Sequence, residues 1–286
     1  MIIDIHTHIF PEKMRNNREN YFQGENAFKM IYNSPKAQMA SYEELLNAMD
    51  EDSVDKSVIC GFPWSGPDAM KYNNDYCMEA VSRYPDRFIG LGCFDAFSPY
   101  AAVETERCLS GNLKGVGELA FYLSGIDDSA LTALSPVMNI CLEKKGLVLI
   151  HTNEPVGHMY PGKTPITLLQ IYNMAKQFPD NIIVLAHWGG GIFFYELMKK
   201  EVKETLKHVY YDSAASPFLY SPDIYRYATN LAGENKVLFG SDYPLIKPSR
   251  YFKEMEASGM SKENQARIKG ENAVALFETL GILKSV

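Results

Sequence analysis

The sequence predicts a (β/α)8 barrel, a closed ring of eight parallel strands surrounded by helices. Eight short apolar segments rich in β-branched residues alternate with segments of helical periodicity along the 286 residues. Most of the apolar segments are continuously hydrophobic, which is typical of strands covered on both faces in a parallel sheet. Eight strand–helix repeats indicate the barrel, and we expect residues 1–286 to form one such domain. A doubly wound open sheet is the alternative, but no GxGxxG motif follows the first strand.

The strands and helices follow in a regular order. We predict strands at 2–6, 56–62, 88–94, 115–121, 147–152, 182–187, 209–213 and 237–242. We predict helices at 42–49, 74–84, 101–109, 131–145, 166–178, 193–206 and 222–231, with a closing helix at 262–281. Ser41 and Glu44 form a capping box before the first of these helices. The segment 9–40 has no strong periodicity, and we expect a long functional loop after strand one on the catalytic rim.

Composition limits the classes of function. The formal net charge of −7 argues against nucleic acid or an anionic membrane as the main partner. The five cysteines are scattered and form no CxxC motif, so we expect reduced thiols and a cytoplasmic protein. We expect neither a signal peptide nor a membrane span, because no basic n-region, no cleavage site and no apolar run of sufficient length is present. We expect a small-molecule substrate and, as for most soluble enzymes of this kind, a homo-oligomer.

Histidine or acidic candidate ligands lie at or near the ends of five of the eight predicted strands, and Asp212, near the end of a sixth, is expected to be a supporting residue. Residues two apart in a strand point to the same face, so His6 and His8 can chelate one ion at the barrel mouth. An isolated pair of this kind is weak evidence, because a buried histidine is often satisfied by hydrogen bonds alone. The complete set is His6, His8, Glu118, His151, His187 and Asp242.

A divalent cation would account for this set. Burying an ionisable group costs several kcal/mol unless it finds a partner, and a cation is a partner for all six. Barrel enzymes place their active sites at this rim. Imidazole nitrogen and carboxylate oxygen suit Zn²⁺ first, with Mn²⁺, Fe²⁺ or Co²⁺ as alternatives.

The motifs IDIHTHIF, LIHTN, LAHWGG and FGSDYP resemble those of the amidohydrolase superfamily over essentially the whole chain. They look like its amidohydrolase-2 branch, which also holds the aminocarboxymuconate-semialdehyde decarboxylase-like enzymes. The resemblance implies that His6, His8 and Asp242 bind a metal and that His151 completes a mononuclear site. It leaves His187 free to act as an acid or base or to hold the substrate.

Glu118 is the residue that distinguishes the two groups of enzymes within this superfamily, the binuclear hydrolases and the decarboxylases. In binuclear members a strand-four residue bridges two metals, and His151 and His187 bind the second. The GVGE context of Glu118 is similar to that of the TatD-like hydrolases, whereas the decarboxylase relatives generally lack this acid. One or two ions are therefore expected. An ion pair of Glu118 with Lys114 or Arg250 is the structural alternative.

On this basis we predict a metal-dependent hydrolase that acts on an amide, lactone or related ester bond of a small molecule. A zinc ion lowers the pKa of its bound water to about 7. Asp242 would accept the proton of that water, and His187 would stabilise the developing oxyanion. The alternative is a nonoxidative, metal-dependent decarboxylase of a small unsaturated or aromatic carboxylic acid, which needs only one ion. A non-enzymatic binding protein on the same fold is the third possibility.

Four residues are predicted to contact the substrate. Trp64, Tyr122 and Trp188 lie near strand ends and would form aromatic walls for a planar molecule. Arg250, with Lys247, follows Asp242 and would receive a substrate carboxylate. A packing role for the tryptophans and a solvated position for the basic residues are the alternatives.

Overall fold

A computed structural model describes residues 1–283 and confirms the predicted fold class. All strand pairs are parallel and follow the order of the chain, in one sheet of strands β1–β3 and one of strands β4–β8. The strands are β1 Ile3–His8, β2 Lys56–Cys60, β3 Phe88–Gly90, β4 Gly115–Leu119, β5 Leu147–Ile150, β6 Ile183–Leu185, β7 Val209–Asp212 and β8 Val237–Leu238.

Backbone hydrogen bonds cross both gaps between the two sheets and complete the ring. Between β3 and β4, the amide of Gly92 donates to the Gly115 carbonyl at 3.0 Å, and that of Gly117 donates to Gly92 at 2.8 Å. Between β8 and β1, the Ile5 amide donates to the Phe239 carbonyl at 2.9 Å. The eight strands therefore surround one interior, as the barrel prediction requires.

Helices connect the strands and cover most of the outside of the ring, while α2 and α9 line its mouth. They are α1 Glu12–Asn16, α2 Asn26–Tyr32, α3 Tyr42–Glu51, α4 Pro67–Arg83, α5 Ala101–Ser110, α6 Asp128–Glu143, α7 Leu168–Gln177, α8 Lys200–Thr205, α9 Ser216–Leu219, α10 Ile224–Ala232, α11 Pro248–Ala257, α12 Lys262–Ala266 and α13 Asn272–Thr279. The predicted capping box of Ser41 and Glu44 is present at the start of α3. No helix of residues 1–283 combines the length and apolar character that a membrane span requires.

The expected long loop at 9–40 is instead largely helical. It contains α1, a 3-10 turn at Arg18–Tyr21 and α2. Phe28 and Tyr32 lie four residues apart, so both face the same side of α2, where they pack against Phe10 and Phe62. This aromatic cluster stabilises short helices whose sequence periodicity is too brief to detect.

Two further helices differ from the prediction because the backbone changes conformation within them. The predicted helix 193–206 is a 3-10 segment at His187–Leu197 followed by α8, and residues 188–191 have left-handed φ values. The closing helix is divided into α12, a π turn at Arg267–Glu271 and α13. The last of these segments still packs against the strands, since Ala273, Leu276 and Phe277 of α13 are buried in contact with them.

The interior of the ring is apolar at one end and ionisable at the other. Strand residues such as Ile3, Ile5 and Leu149 pack against Phe277 of α13 in one buried cluster. The pairing of β1 with β2 shifts register between Asp4 and Thr7. An irregularity of this kind re-aims side chains, and β1 extends beyond the predicted end to His8. The last residues of β1, His6 to His8, therefore lie at the end of the barrel opposite α13.

Candidate metal centre

His6 and His8 on β1 face one another at the end of the ring opposite α13. The Nδ1 atom of each ring points away from the other ring and lies within hydrogen-bond distance of an oxygen; we call it the outer nitrogen. Nδ1 of His6 lies 2.8 Å from Oδ2 of Asp212, and Nδ1 of His8 lies 2.9 Å from the Gly61 carbonyl. Both outer partners are acceptors, so the outer nitrogens carry the ring protons. The inner Nε2 atoms are 3.1 Å apart.

His151 and His187, which follow β5 and β6, approach the same point. Nε2 of His151 lies 2.9 Å from the Gly162 carbonyl and its Nδ1 lies 2.9 Å from Oε1 of Glu118. Nδ1 of His187 lies 3.0 Å from the Ala214 carbonyl, and its Nε2 lies 3.4 Å from the same Glu118 oxygen. His187 adopts a left-handed φ of 55°, a strained conformation that directs its ring inward.

Glu118 and Asp242 supply carboxylates between the four rings. Oε2 of Glu118 lies 3.5 Å from Nε2 of His6 and 3.7 Å from Nε2 of His8. Oδ1 of Asp242 lies 3.2 Å from Nε2 of His8. Glu118 thus stands between two triads that could each hold an ion, one with His6 and His8 and one with His151 and His187.

The protonation pattern of this cluster fits a divalent cation. Each of the four imidazoles has an acceptor on its outer side, which leaves an unprotonated nitrogen facing the centre. Four lone pairs and two carboxylates converge in a buried space, and nothing but a cation or added protons can balance them. Nitrogen and carboxylate oxygen are the ligand types of Zn²⁺, Mn²⁺ and related ions.

The pKa values of the cluster show how strongly the groups interact. Burial alone would lower the pKa of His6, but Glu118 and Asp212 outweigh it and raise that pKa well above the usual range. Burial would raise the pKa of Glu118, but His6 and His151 hold it well below its usual range. The pKa of Asp242 is also lowered, against the effect of burial, chiefly by its hydrogen bond with His8. Both acids are therefore available as anionic ligands.

Asp212, at the end of β7, connects two of these histidines. Its Oδ2 accepts the Nδ1 proton of His6, and its Oδ1 accepts the backbone N–H groups of His187 and Ala214 at 2.8 and 2.9 Å. The side chain is fully buried. Sequence position alone suggested a supporting polar residue here, and the structure gives it contacts with both His6 and the turn that carries His187.

Asp4 is a supporting residue that sequence reasoning missed. It accepts hydrogen bonds from the backbone N–H groups of Ser241 and His6 at 2.9 and 3.2 Å and from the Ser241 hydroxyl. Burial raises its pKa to about 7, although these hydrogen bonds oppose the shift. The available signal was a charged residue within the apolar run MIIDI. Asp4 links β1 to the segment that carries Asp242.

A cavity of about 910 Å³ opens directly above the cluster. His8, Glu118, His151, His187 and Asp242 form its floor. The walls come mainly from the segment 31–38, from Phe62 and Tyr122 after β2 and β4, and from the segment after β5. The rings of Phe62 and Tyr122 are nearly parallel, with an interplanar angle of 7°. The volume and the aromatic walls suit a small planar molecule.

Of the four predicted substrate-binding residues, the structure brings only Tyr122 to the cavity. Trp64 and Trp188 are completely buried, where their indole N–H groups donate to Asn73 and Ser216. This corrects the expectation of tryptophan walls, because neither side chain has surface left for a ligand. Arg250 is exposed on α11 and pairs with Glu254.

The basic residue that lines the cavity is instead Lys36. It is exposed, and among the described residues it forms no ion pair. Lys247, expected beside Arg250, pairs with Glu51 away from the cavity. Lys36 lies in the segment expected to be a loop, and only the tertiary path of that segment brings it to the site.

The fold and the cluster define a metal-binding barrel protein of the type in which strand-end histidines and acids gather at one mouth. A family model described as Amidohydrolase matches residues 3–279, and the chain belongs to that family. The family resemblance expected from the motifs is therefore confirmed.

The chain is similar to several decarboxylases. It is 27% identical to the 2-amino-3-carboxymuconate-6-semialdehyde decarboxylase of Dictyostelium discoideum, over 98% of this chain and 91% of that protein. Its structure resembles the 5-carboxyvanillate decarboxylase of Sphingomonas paucimobilis, with a TM-score of 0.75, 19% identity and coverage of 97% and 98%. The corresponding enzyme of Novosphingobium aromaticivorans, solved with manganese and 4-hydroxy-3-methoxy-5-nitrobenzoic acid, gives a TM-score of 0.74, 14% identity and coverage of 97% and 96%.

These relatives overturn the prediction of hydrolysis. The curated relative and the two solved structures named above are decarboxylases, so the alternative interpretation is the better one. The prediction was wrong because it took the GVGE context of Glu118 to indicate a hydrolase with two metal ions. An acid at that position is compatible with a bound cation, but it does not specify the bond that is broken.

Proposed function

We propose that the protein is a nonoxidative, metal-dependent decarboxylase of a small unsaturated or aromatic carboxylic acid. The observation that carries the proposal is the similarity to a decarboxylase over 98% of the chain. Support from the geometry comes from a cavity with aromatic walls above a cluster of metal-ligand groups. A carboxylate substrate also suits a cavity that, among residues 1–283, is lined by one lysine, Lys36, whose ammonium group forms no ion pair with them.

We assign His6, His8, His151 and Asp242 as the ligands of one divalent ion. When bound, the ion would attract the substrate carboxylate and stabilise the negative charge that develops as carbon dioxide leaves. The ligand types are compatible with Zn²⁺, as expected from the sequence, and with Mn²⁺, the ion in one of the similar solved structures. Glu118 then balances the charge of the imidazoles instead of bridging a second ion.

Decarboxylation breaks the bond between the carboxyl carbon and its neighbour, and the electron pair left on that neighbour must take up a proton. His187 is the residue placed to deliver it. Its Nδ1 is held by the Ala214 carbonyl, so Nε2 is the nitrogen that can gain and lose a proton at the cavity floor. Glu118, 3.4 Å away, stabilises the protonated ring. Water from the cavity returns the proton after the product leaves.

The walls orient the substrate over this floor. Phe62 and Tyr122 offer aromatic surface to a planar molecule. Burial, reinforced by Glu118, raises the pKa of Tyr122 well above its usual range. Its hydroxyl therefore stays protonated and can donate a hydrogen bond to a substrate oxygen. Lys36 can bind an anionic group at the outer end of the substrate.

The test is a panel of unsaturated and aromatic carboxylic acids, offered to protein loaded separately with Mn²⁺ and Zn²⁺. We expect one carbon dioxide released per substrate consumed, loss of turnover with a chelator, and its return when the metal is restored. In D₂O the product should carry one deuterium at the vacated carbon. We expect one tightly bound ion per chain and a loss of at least about a hundredfold in kcat for His187→Gln. No carbon dioxide from any acid, with the metal fully loaded, would refute the proposal.

A further inference from the structure

The segment after β5 forms a large part of the cavity wall without regular structure. Seven of the lining residues lie between Glu154 and Gly162, a segment we term the β5 loop (154–162). Between residues 152 and 166 there is one backbone-to-backbone hydrogen bond, from the Lys163 amide to the Tyr160 carbonyl at 3.1 Å. The path of the β5 loop must therefore be fixed by side chains.

Lys163 provides that constraint from a buried position. Its ammonium group donates to Oε1 of Glu154 and to the Val156 carbonyl, both at 2.6 Å, and to the His158 carbonyl at 3.4 Å. The other carboxylate oxygen of Glu154 accepts the Tyr160 hydroxyl at 2.7 Å. All three ammonium protons and both carboxylate oxygens thus have partners within the loop. We term Lys163, Glu154 and Tyr160 the clamp.

The clamp connects directly to the candidate metal centre. The residue before Lys163 is Gly162, whose carbonyl lies 2.9 Å from Nε2 of His151. That carbonyl fixes the ring proton of His151 on Nε2, which leaves Nδ1 as the nitrogen that faces Glu118. If the loop moved, His151 would lose the contact that sets both its orientation and its tautomer.

We propose that Lys163 is a positioning residue, which holds the β5 loop in place and, through Gly162, keeps His151 oriented to bind the metal. Lys163 touches none of the reacting groups itself. The inference rests on the proposed role of His151 as a metal ligand, which is part of the proposed function. Glu154, the partner of Lys163, is only partly exposed, so the pair is shielded from water. Loss of the lysine ammonium would therefore leave a poorly solvated carboxylate.

The experiment compares Mn²⁺ affinity by calorimetry in Lys163→Met, Lys163→Arg and the wild type. Lys163→Met removes the cation and its hydrogen-bond donors but keeps an unbranched side chain of similar length. Lys163→Arg keeps a cation and its donors beside Glu154. Arg107→Met is the matched control, because Arg107 pairs with the buried Glu104 on α5, away from the cavity.

We expect Lys163→Met to bind Mn²⁺ at least about tenfold more weakly than wild type. Lys163→Arg should bind Mn²⁺ at least about threefold more tightly than Lys163→Met, because it can still pair with Glu154, and Arg107→Met should match wild type. Unchanged affinity in Lys163→Met, an equal loss in Arg107→Met, or equal affinity in Lys163→Arg and Lys163→Met would each overturn the inference. A wild type that binds Mn²⁺ but releases no carbon dioxide would refute the proposed function alone, and the affinity comparison would still decide the role of Lys163.

Discussion

Asp212→Asn tests whether the tautomer of His6 is set from outside the metal centre. In the wild type, Oδ1 of Asp212 accepts two backbone N–H groups, those of His187 and Ala214, while Oδ2 accepts the Nδ1 proton of His6. The backbone groups can only donate, so the amide oxygen of asparagine must face them. The amide NH₂ group then faces His6, whose Nδ1 must become an acceptor.

The magnitude follows from this change of roles. The proton of His6 moves to Nε2, which lies 3.1 Å from Nε2 of His8, so one inward lone pair is lost. Replacing an outer partner of a ligating histidine weakens metal binding by about 10- to 100-fold. Since a factor of ten is 1.4 kcal/mol, the expected loss is about 1.4 to 2.7 kcal/mol of metal-binding free energy.

Calorimetric titration of Mn²⁺ into the chelator-treated protein measures this loss. Asp95→Asn is the matched control, since Asp95 also accepts a backbone N–H, that of Phe97 at 2.9 Å, but contacts none of the six candidate ligands. The control should bind as wild type does. Binding of Mn²⁺ by Asp212→Asn within about threefold of wild type would refute the argument from tautomers.

Two further predictions concern charged residues outside the centre. Lys36→Met should raise KM about two- to fivefold for an anionic substrate with little change in kcat, whereas Arg250→Met, also exposed but outside the cavity, should change neither constant in the same steady-state assay. A KM effect of equal size in both variants would contradict the assignment of Lys36. Arg107→Met should lower the free energy of unfolding by about 2 kcal/mol at neutral pH. Burial would raise the pKa of Glu104, but Arg107 outweighs burial and lowers that pKa. The pair therefore stabilises the fold fully above the unfolded-state pKa of about 4.3. This stabilisation is lost as the pH falls through the lower pKa of the folded state. Denaturant unfolding across this range should therefore show the two proteins converging in acid, and a gap that is constant with pH would contradict the prediction.

The parts of the fold that could be predicted are those written in short stretches of sequence. Buried parallel strands are continuous apolar runs, so all eight were located, although most end earlier than predicted. Val237–Leu238, for example, stops well before Asp242, whose left-handed φ of 59° is not a strand conformation. The six candidate ligands were found for the same reason, since charged groups after apolar runs are conspicuous.

The parts that could not be predicted depend on contacts between distant segments. Lys36 reaches the cavity because Phe28 and Tyr32 pack α2 against Phe62. This contact joins the segment that follows β1 to the segment that follows β2. Trp188 is adjacent in sequence to His187, yet the left-handed turn buries its ring against Tyr225 instead of in the cavity wall. Periodicity carries no information on either outcome.

The division between the floor and the walls of the cavity explains why the chemistry was harder to predict than the metal. The floor is built from strand ends, and its arrangement of imidazoles and carboxylates binds a cation whichever bond is to be broken. Whether that cation activates a water or receives a carboxylate depends on what the walls admit and how they orient it. Those walls come from the segment 31–38 and the β5 loop, which are held by an aromatic cluster and a buried lysine. A change in either wall leaves the floor intact, so substitutions in the walls should alter substrate preference before they alter metal binding. Lys163 is the exception, because the Gly162 carbonyl beside it joins the wall to the metal ligand His151.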